Sequence, residues 1–158
     1  MKNFIEQKFK KPGNALDLGA GDFVDVDYLE SIGWKCEGVD IKTTGINLEN
    51  IYLSEKREFD LVFSNYVIHK IKNKNNFIST IFNNLKPNGW LFIQTFDKSD
   101  KNSLSKITHE NMKKILKKYG FVDILTNIFN YYDDEKGHKH WHKILEIIAR
   151  KPLKNLKI

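Results

Sequence analysis

The feature that most constrains this chain is a short, mostly apolar run that ends in two closely spaced glycines. Asn14–Leu18 forms the run, Gly19 and Gly21 follow it, and apolar residues at helical spacing continue over Phe23–Ile32. A strand that turns tightly through glycines into a helix opens many parallel α/β sheets. Glycines in such a turn let a ligand approach the backbone closely. The sequence therefore predicts an α/β fold with a binding site near this turn.

Strand-like and helix-like patterns alternate along the rest of the chain. Further strands are predicted at Lys35–Ile41, Phe59–Ser64 and Trp90–Phe96, and further helices at Asn73–Leu85 and from Thr108 to Gly120. The last apolar runs, Phe121–Asn130 and Trp141–Ala149, are joined by an acidic turn and predict an antiparallel hairpin. We therefore expect a doubly wound, mostly parallel sheet with one reversed C-terminal strand. One domain is expected over residues 1–158, with an N-terminal helical extension over residues 1–12.

The charge and cysteine content limit the partners. The net charge is +6, but lysines are dispersed and only Arg57 and Arg150 are arginines. Proteins that recognise bases and phosphates favour arginine for these contacts. A nucleic-acid partner is therefore possible but not favoured. No run approaches the ~20 apolar residues of a membrane span. The charged N-terminus and the single cysteine, Cys36, favour a cytoplasmic protein without membrane contact.

The charges beside the glycine loop favour a cationic ligand. Asp17 and Asp22 flank the loop, and two carboxylates would repel a pyrophosphate. The sixth position of the dinucleotide fingerprint is Val24 instead of glycine, which opposes a nicotinamide cofactor. Asp40 ends the second strand at the spacing where an acid can bind a ribose diol. S-adenosylmethionine (SAM), which carries an ammonium and a sulfonium, satisfies these conditions.

Five segments, in order, resemble class I SAM-dependent methyltransferases. They are Ala15–Gly21, Gly38–Asp40, Ile46–Leu48, Phe59–Asn65 with Val67–His69, and Leu85–Leu91. The resemblance implies SAM as cofactor and S-adenosylhomocysteine (SAH) as product. It also implies a short third strand at Ile46–Leu48. Cofactor contacts are expected from Asp17, Gly19, Ala20, Gly21, Asp40, Ile41, Asn47, Leu48 and Asn65.

Two positions depart from the family pattern. Phe23 stands where the family loop has its third glycine. Only a few residues separate Asp40 from Ile46, whereas a parallel crossover normally needs about a dozen. Two alternatives follow. Either the third strand is a stub paired loosely at the sheet edge, or Asn47 does not reach the adenine.

Histidines at alternate positions form a strip near the C-terminus: His138, His140 and His142. On a strand all three would face the same way. They could contact the acceptor, act as a base, bind a metal or lie exposed on the surface. No partner cysteine supports a closed metal site, and none is assigned. The hairpin is similar to that of tellurite-resistance-type methyltransferases, which implies His138 or His140 as the catalytic residue.

The acceptor is the open question. A single compact domain favours a small-molecule acceptor, and the long polar loop Asp97–Ile107 is expected to act as a lid or gate. The alternatives are an RNA or protein methyltransferase, or a SAM-binding protein without activity. The sequence makes no prediction about the oligomeric state.

Overall fold

The structure, a computed structural model, describes residues 1–153 and contains a six-stranded sheet between two layers of helices. The helices are α1 (Lys2–Lys8), α2 (Val24–Ser31), α3 (Lys74–Asn84) and α4 (His109–Lys118). The strands are β1 (Asn14–Leu18), β2 (Lys35–Val39), β3 (Phe59–Asn65), β4 (Leu85–Phe96), β5 (Val122–Asp133) and β6 (His140–Arg150). The strand order is β2-β1-β3-β4-β6-β5, and β6 runs antiparallel to both neighbours. The expected doubly wound sheet with one reversed strand is confirmed.

The direction of winding reverses at β1, which pairs in parallel with β2 on one side and β3 on the other. The loops that leave the carboxyl ends of these strands diverge there and leave a crevice. The order of the elements thus places a binding site beside the glycine turn that follows β1.

Alternate residues of the strands divide the core between the two faces of the sheet. Leu91 and Ile93 of β4 join the cluster that contains Phe77 of α3 and Leu116 of α4. Phe92, between them, joins the opposite cluster with Phe4 of α1 and Leu29 of α2. This period of two is expected for a sheet that is covered on both faces.

Helix starts agree well with the sequence. Asn73 and Thr108 are the N-caps of α3 and α4, and their side chains accept hydrogen bonds from the backbone N–H groups of Asn76 and Asn111. Residues 86–89, whose Pro-Asn-Gly sequence is typical of a turn, instead lie within β4, where Asn88 has a positive φ of 66° and the pairing with β3 shifts register. The last hairpin is longer than predicted, because cross-strand pairing continues to Asp133 and His140.

The predicted third strand is wrong. Ile46–Leu48 forms no strand, and residues 40–58 as a whole run as turns and extended loop. The spacing explains why this strand does not form, since too few residues follow Asp40 for a crossover to a further parallel strand. Side chains hold this segment instead: Tyr52 Oη and Ser54 Oγ donate to the two carboxylate oxygens of Glu37 at 2.7 and 2.8 Å. The Ser54 N–H donates to Asn84 Oδ1 at 2.9 Å.

The substituted loop position, Phe23, lies in the left-handed region with φ 65°. That conformation favours glycine, so the phenylalanine is strained there. Its ring lies over Gly38 of β2, where an added Cβ would stand 2.6 Å from Phe23 Cε1 and 2.9 Å from both Ala20 and Val26. Gly38 therefore leaves the room that the ring occupies.

Candidate active site

A cavity of about 710 Å³ opens at the carboxyl ends of β1, β2 and β3. Seven of the nine residues predicted to contact a cofactor line it: Gly19, Gly21, Asp40, Ile41, Asn47, Leu48 and Asn65. Ala20 and Asp17 are absent from its described lining. Asn47 lines the cavity although its predicted strand does not form. Leu48 is buried behind it in the core.

The glycine loop is fixed tightly against β2. The N–H groups of Gly19 and Ala20 both donate to the carbonyl of Val39, at 2.8 and 3.0 Å. Gly19 has φ 89°, and a Cβ there would stand 2.2 Å from a methyl group of Val67. Only glycine fits this approach. The loop thus forms a rigid floor at one end of the cavity.

Asp40 is oriented by the backbone on both sides. Its Oδ2 accepts from the Gly21 N–H at 3.3 Å and its Oδ1 accepts from the Lys42 N–H at 2.8 Å. Thr44 Oγ1 accepts from the Asp40 N–H at 2.9 Å and closes the turn. Each carboxylate oxygen can accept a further bond from a ligand. A fixed bidentate acceptor is suited to a pair of vicinal hydroxyl groups.

Asp17 lies beneath the loop, only 3% exposed. Burial, followed by the nearby charges of Asp25 and Asp40, raises its pKa to about 8. Three acidic groups therefore share one end of the site. The cluster favours positive charge, but Asp17 acts through the electrostatic field and not as a lining residue.

Asn65, at the end of β3, lines the cavity and carries a side-chain oxygen without a partner among the described residues. Its Nδ2 donates to Asp25 Oδ2 at 2.8 Å, which fixes the amide. Its Oδ1 is buried and has no hydrogen-bond partner among the described residues. A buried acceptor without a donor is costly, and a bound ammonium would satisfy it.

A second, smaller cavity of about 220 Å³ adjoins the first. Tyr66 lines both cavities, and its backbone has a positive φ of 59° while its N–H donates to the Gln94 carbonyl at 2.8 Å. The other lining residues are Phe96, Tyr131, Asp133, Glu135, His142 and Ile144. The two cavities therefore share a tyrosine as their common wall.

The histidine strip is ordered from surface to interior. His138 is exposed, His140 is half-buried, and His142 is only 8% exposed. Neighbouring rings stand 6.0 Å and 4.5 Å apart. Only His142 lines the second cavity, so the structure does not bring His138 or His140 to it. Within residues 1–153 no group of three or more acidic, histidine or cysteine residues could hold a metal ion.

His142 is paired with a buried carboxylate. Its Nδ1 lies 3.0 Å from Oδ2 of Asp100, whose side chain is fully buried. Asp100 Oδ1 also accepts from the Asn102 N–H at 2.7 Å. This arrangement fixes the imidazole so that Nδ1 carries the proton and Nε2 can accept one. A histidine held in this way by a carboxylate is suited to act as a general base.

His69 does not have these properties. Its Nδ1 lies 3.1 Å from Thr95 Oγ1 and its ring packs edge-on against Phe96. Burial, followed by the charges of Lys70 and Lys74, lowers its pKa to about 4. His69 is therefore a neutral packing residue at pH 7.

The predicted lid is fastened at its base. Lys98 N–H donates to the Ile107 carbonyl at 2.7 Å, and Ser105 Oγ donates to the Phe96 carbonyl at 2.6 Å. Asp97 and Asp100 are buried, whereas Leu104 at the tip is exposed. The loop supplies the partner of His142.

Sequence reasoning missed Tyr66, Phe96 and Asp100, and it gave His142 no separate role. Tyr66 and Phe96 directly follow or end a predicted strand, which is a signal that could have been used. Asp100 and His142 are 42 positions apart, and no local pattern joins them.

The sequence matches a family model described as a methyltransferase domain, over residues 2–143. No curated protein matches the sequence. Within the described part of the chain, no helix has the length and apolarity needed to cross a bilayer.

Solved structures share the fold at low sequence identity. A SAM-dependent methyltransferase from Methanosarcina mazei has a TM-score of 0.77 and 16% identity, over 96% of this chain and 98% of that one. A 1,6-didemethyltoxoflavin-N1-methyltransferase from Burkholderia thailandensis has a TM-score of 0.72 and 18% identity, over 95% of this chain and 76% of that one.

Phosphoethanolamine N-methyltransferase 2 from Haemonchus contortus has a TM-score of 0.69 and 18% identity. The match covers 96% of this chain but 52% of that one, so this chain spans about half the length of that enzyme. Because the family model covers most of the sequence and the sheet has the same architecture, the chain belongs to the methyltransferase domain family.

Proposed function

We propose that this methyltransferase uses SAM as methyl donor, releases SAH and methylates a small-molecule acceptor in the cytoplasm. The observation that carries the proposal is the larger cavity, where Asp40 and Asn65 line one space beside the glycine loop and one side-chain oxygen of Asn65 has no partner among the described residues. A ribose diol would satisfy the first group and an ammonium the second. The structures from Haemonchus contortus and Burkholderia thailandensis hold SAM or SAH, which supports the choice of ligand.

Each residue of the cavity has a specific role in this proposal. Asp40 binds the ribose hydroxyls, and Ile41, Asn47 and Leu48 border the adenine. The backbone of Gly19, Ala20 and Gly21 supports the methionyl portion, and Asn65 Oδ1 accepts from its ammonium. Asp17, below the loop, stabilises the two positive charges of SAM through the field.

The smaller cavity is assigned to the acceptor. Its volume of about 220 Å³ suits a small molecule and not a segment of folded RNA or protein. Tyr66 lines both cavities, so an acceptor in the smaller one would lie next to the donor. Such a displacement depends mainly on aligning the acceptor with the methyl group and on excluding water. His142 Nε2 takes the proton that the acceptor loses. The catalytic role predicted for His138 or His140 is thereby assigned to His142.

Thermal melting with SAM, SAH and NAD tests the cofactor. A ligand at ~100 times its dissociation constant stabilises by roughly 2.7 kcal/mol, which raises the melting temperature of a domain of this size by about 5–10 °C. We expect this rise with SAM and SAH and none with NAD. Asp40→Ala should lose most of the rise because the diol loses its acceptor.

The matched control is Asp27→Ala, which removes the same charge from the exposed side of α2. It should keep the full response to SAM. A rise with NAD alone, or an undiminished response in Asp40→Ala, contradicts the assignment.

A further inference from the structure

The smaller cavity combines aromatic rings with carboxylates. Tyr66, Phe96 and Tyr131 supply the rings, and Asp133 and Glu135 supply the acids. None of the described residues that line it carries a lysine or arginine side chain. A cation gains both from the faces of aromatic rings and from the carboxylates. A phosphate or carboxylate would meet repulsion without a compensating donor of positive charge.

The rings form a continuous wall from the donor to the base. The rings of Tyr66 and Phe96 have centroids 5.2 Å apart, and Phe96 and His142 have centroids 4.7 Å apart. The histidine is thus part of the same lining as the cation-binding groups. Tyr66, at one end of this row, also lines the donor cavity, and His142, at the other end, is the histidine that is paired with Asp100.

The carboxylates are held on the hairpin that closes the cavity. Asp133 is half-buried at the end of β5, where its Oδ1 accepts from the Glu135 N–H at 3.0 Å. Within residues 1–153 its second oxygen accepts no hydrogen bond, so it can accept one from a ligand. The hairpin therefore fixes at least one acid at the mouth of the cavity.

We propose that the acceptor is a small primary or secondary amine that enters this cavity as its ammonium ion. The inference rests on the proposed function, since it assigns the substrate class of the same enzyme. The ammonium gives one proton to His142 Nε2, and Asp100 stabilises the imidazolium. The freed nitrogen lone pair attacks the methyl carbon of the sulfonium. The N–C bond forms as the C–S bond breaks, the electron pair stays on sulfur, and His142 returns its proton to water.

The test uses pairs of probes with the same ring and opposite charge: benzylamine with benzoate, and tyramine with 4-hydroxybenzoate. Binding to the SAH-loaded protein is measured by calorimetry, and turnover with SAM is measured as SAH release. We expect each amine to bind at least about tenfold more tightly than its carboxylate, which corresponds to about 1.4 kcal/mol. We also expect turnover with at least one amine and with neither carboxylate.

The double substitution Asp133→Asn, Glu135→Gln should abolish this preference without changing the melting-temperature rise with SAM. The control is Asp134→Asn, an exposed acid of the same turn that is absent from the described lining. Carboxylates that bind as well as amines, no binding of either amine, or a preference that survives the double substitution overturns the inference. Loss of the SAM response in the unsubstituted protein would instead count against the proposed function.

Discussion

Asp17 carries a carboxyl group that is closed off from solvent and lies near the carboxylates of Asp25 and Asp40. With its pKa at about 8, it holds a proton in the empty protein at pH 7. A cationic ligand above the loop favours the ionised form. One residue therefore links the charge of the ligand to a proton.

Asp17→Asn should make the empty protein less sensitive to alkali. The folded chain keeps a proton on Asp17 that the unfolded chain releases from pH 3.8 upward. This contribution to stability is full below pH 3.8 and is lost as pH rises through about 8. Asparagine removes the loss, so the variant should melt at least about 5 °C higher than wild type at pH 8–9. Its affinity for SAM should fall, because asparagine cannot ionise when the cation binds.

Melting curves between pH 5 and about 9 measure this difference. Asp27→Asn, which alters an exposed acid of α2, should follow the wild-type profile. Parallel profiles for Asp17→Asn and wild type would show that the buried carboxyl does not hold the proton.

His142→Asn should lower kcat by about 10²–10⁴ while leaving the SAM-induced rise in melting temperature unchanged. The asparagine amide can still donate to Asp100 but cannot accept a proton as imidazole does. His138→Asn and His140→Asn are the matched controls, and both should keep nearly full turnover with the acceptor. If His140→Asn loses turnover and His142→Asn does not, the base is His140.

At the level of the elements, sequence patterns predicted the features whose interacting residues lie close together in the chain. The caps of α3 and α4 follow from side chains three residues away from their donors, so sequence alone located them. The segment from Asp40 to Phe59 did not follow the family pattern, because its anchors on Glu37, Thr80 and Asn84 lie far along the chain. Side chains of two elements, β2 and α3, replace a strand and its ladder.

Glu37→Gln should destabilise the folded protein by about 1–3 kcal/mol. Glutamate accepts from Tyr52 and Ser54 with two oxygens, whereas glutamine has only one acceptor, so one hydroxyl loses its partner. The expected fall in melting temperature is about 2–12 °C. Glu30→Gln, an exposed change on α2, serves as the control. A fall no larger than that of the control would mean that the segment is held by its apolar contacts alone.

At the scale of the whole molecule, the sequence predicted the fold class and seven of the residues that line the larger cavity. Each contribution to that cavity follows a strand end, and parallel strands bring their carboxyl ends together. The smaller cavity is different, since Tyr66 follows β3 while Phe96, Tyr131 and His142 lie on β4, β5 and β6. Their meeting depends on the antiparallel register of β5 and β6, which pairs Tyr131 with His142. Residue spacing along the chain does not determine that register.

The space above Gly38 also makes positions 23 and 38 unequal in what they tolerate. Any larger residue at position 38 would collide with Ala20 and Val26 whatever occupies position 23. Phe23→Gly should therefore be tolerated, since glycine readily adopts the left-handed backbone at that position, whereas enlarging Gly38 should not.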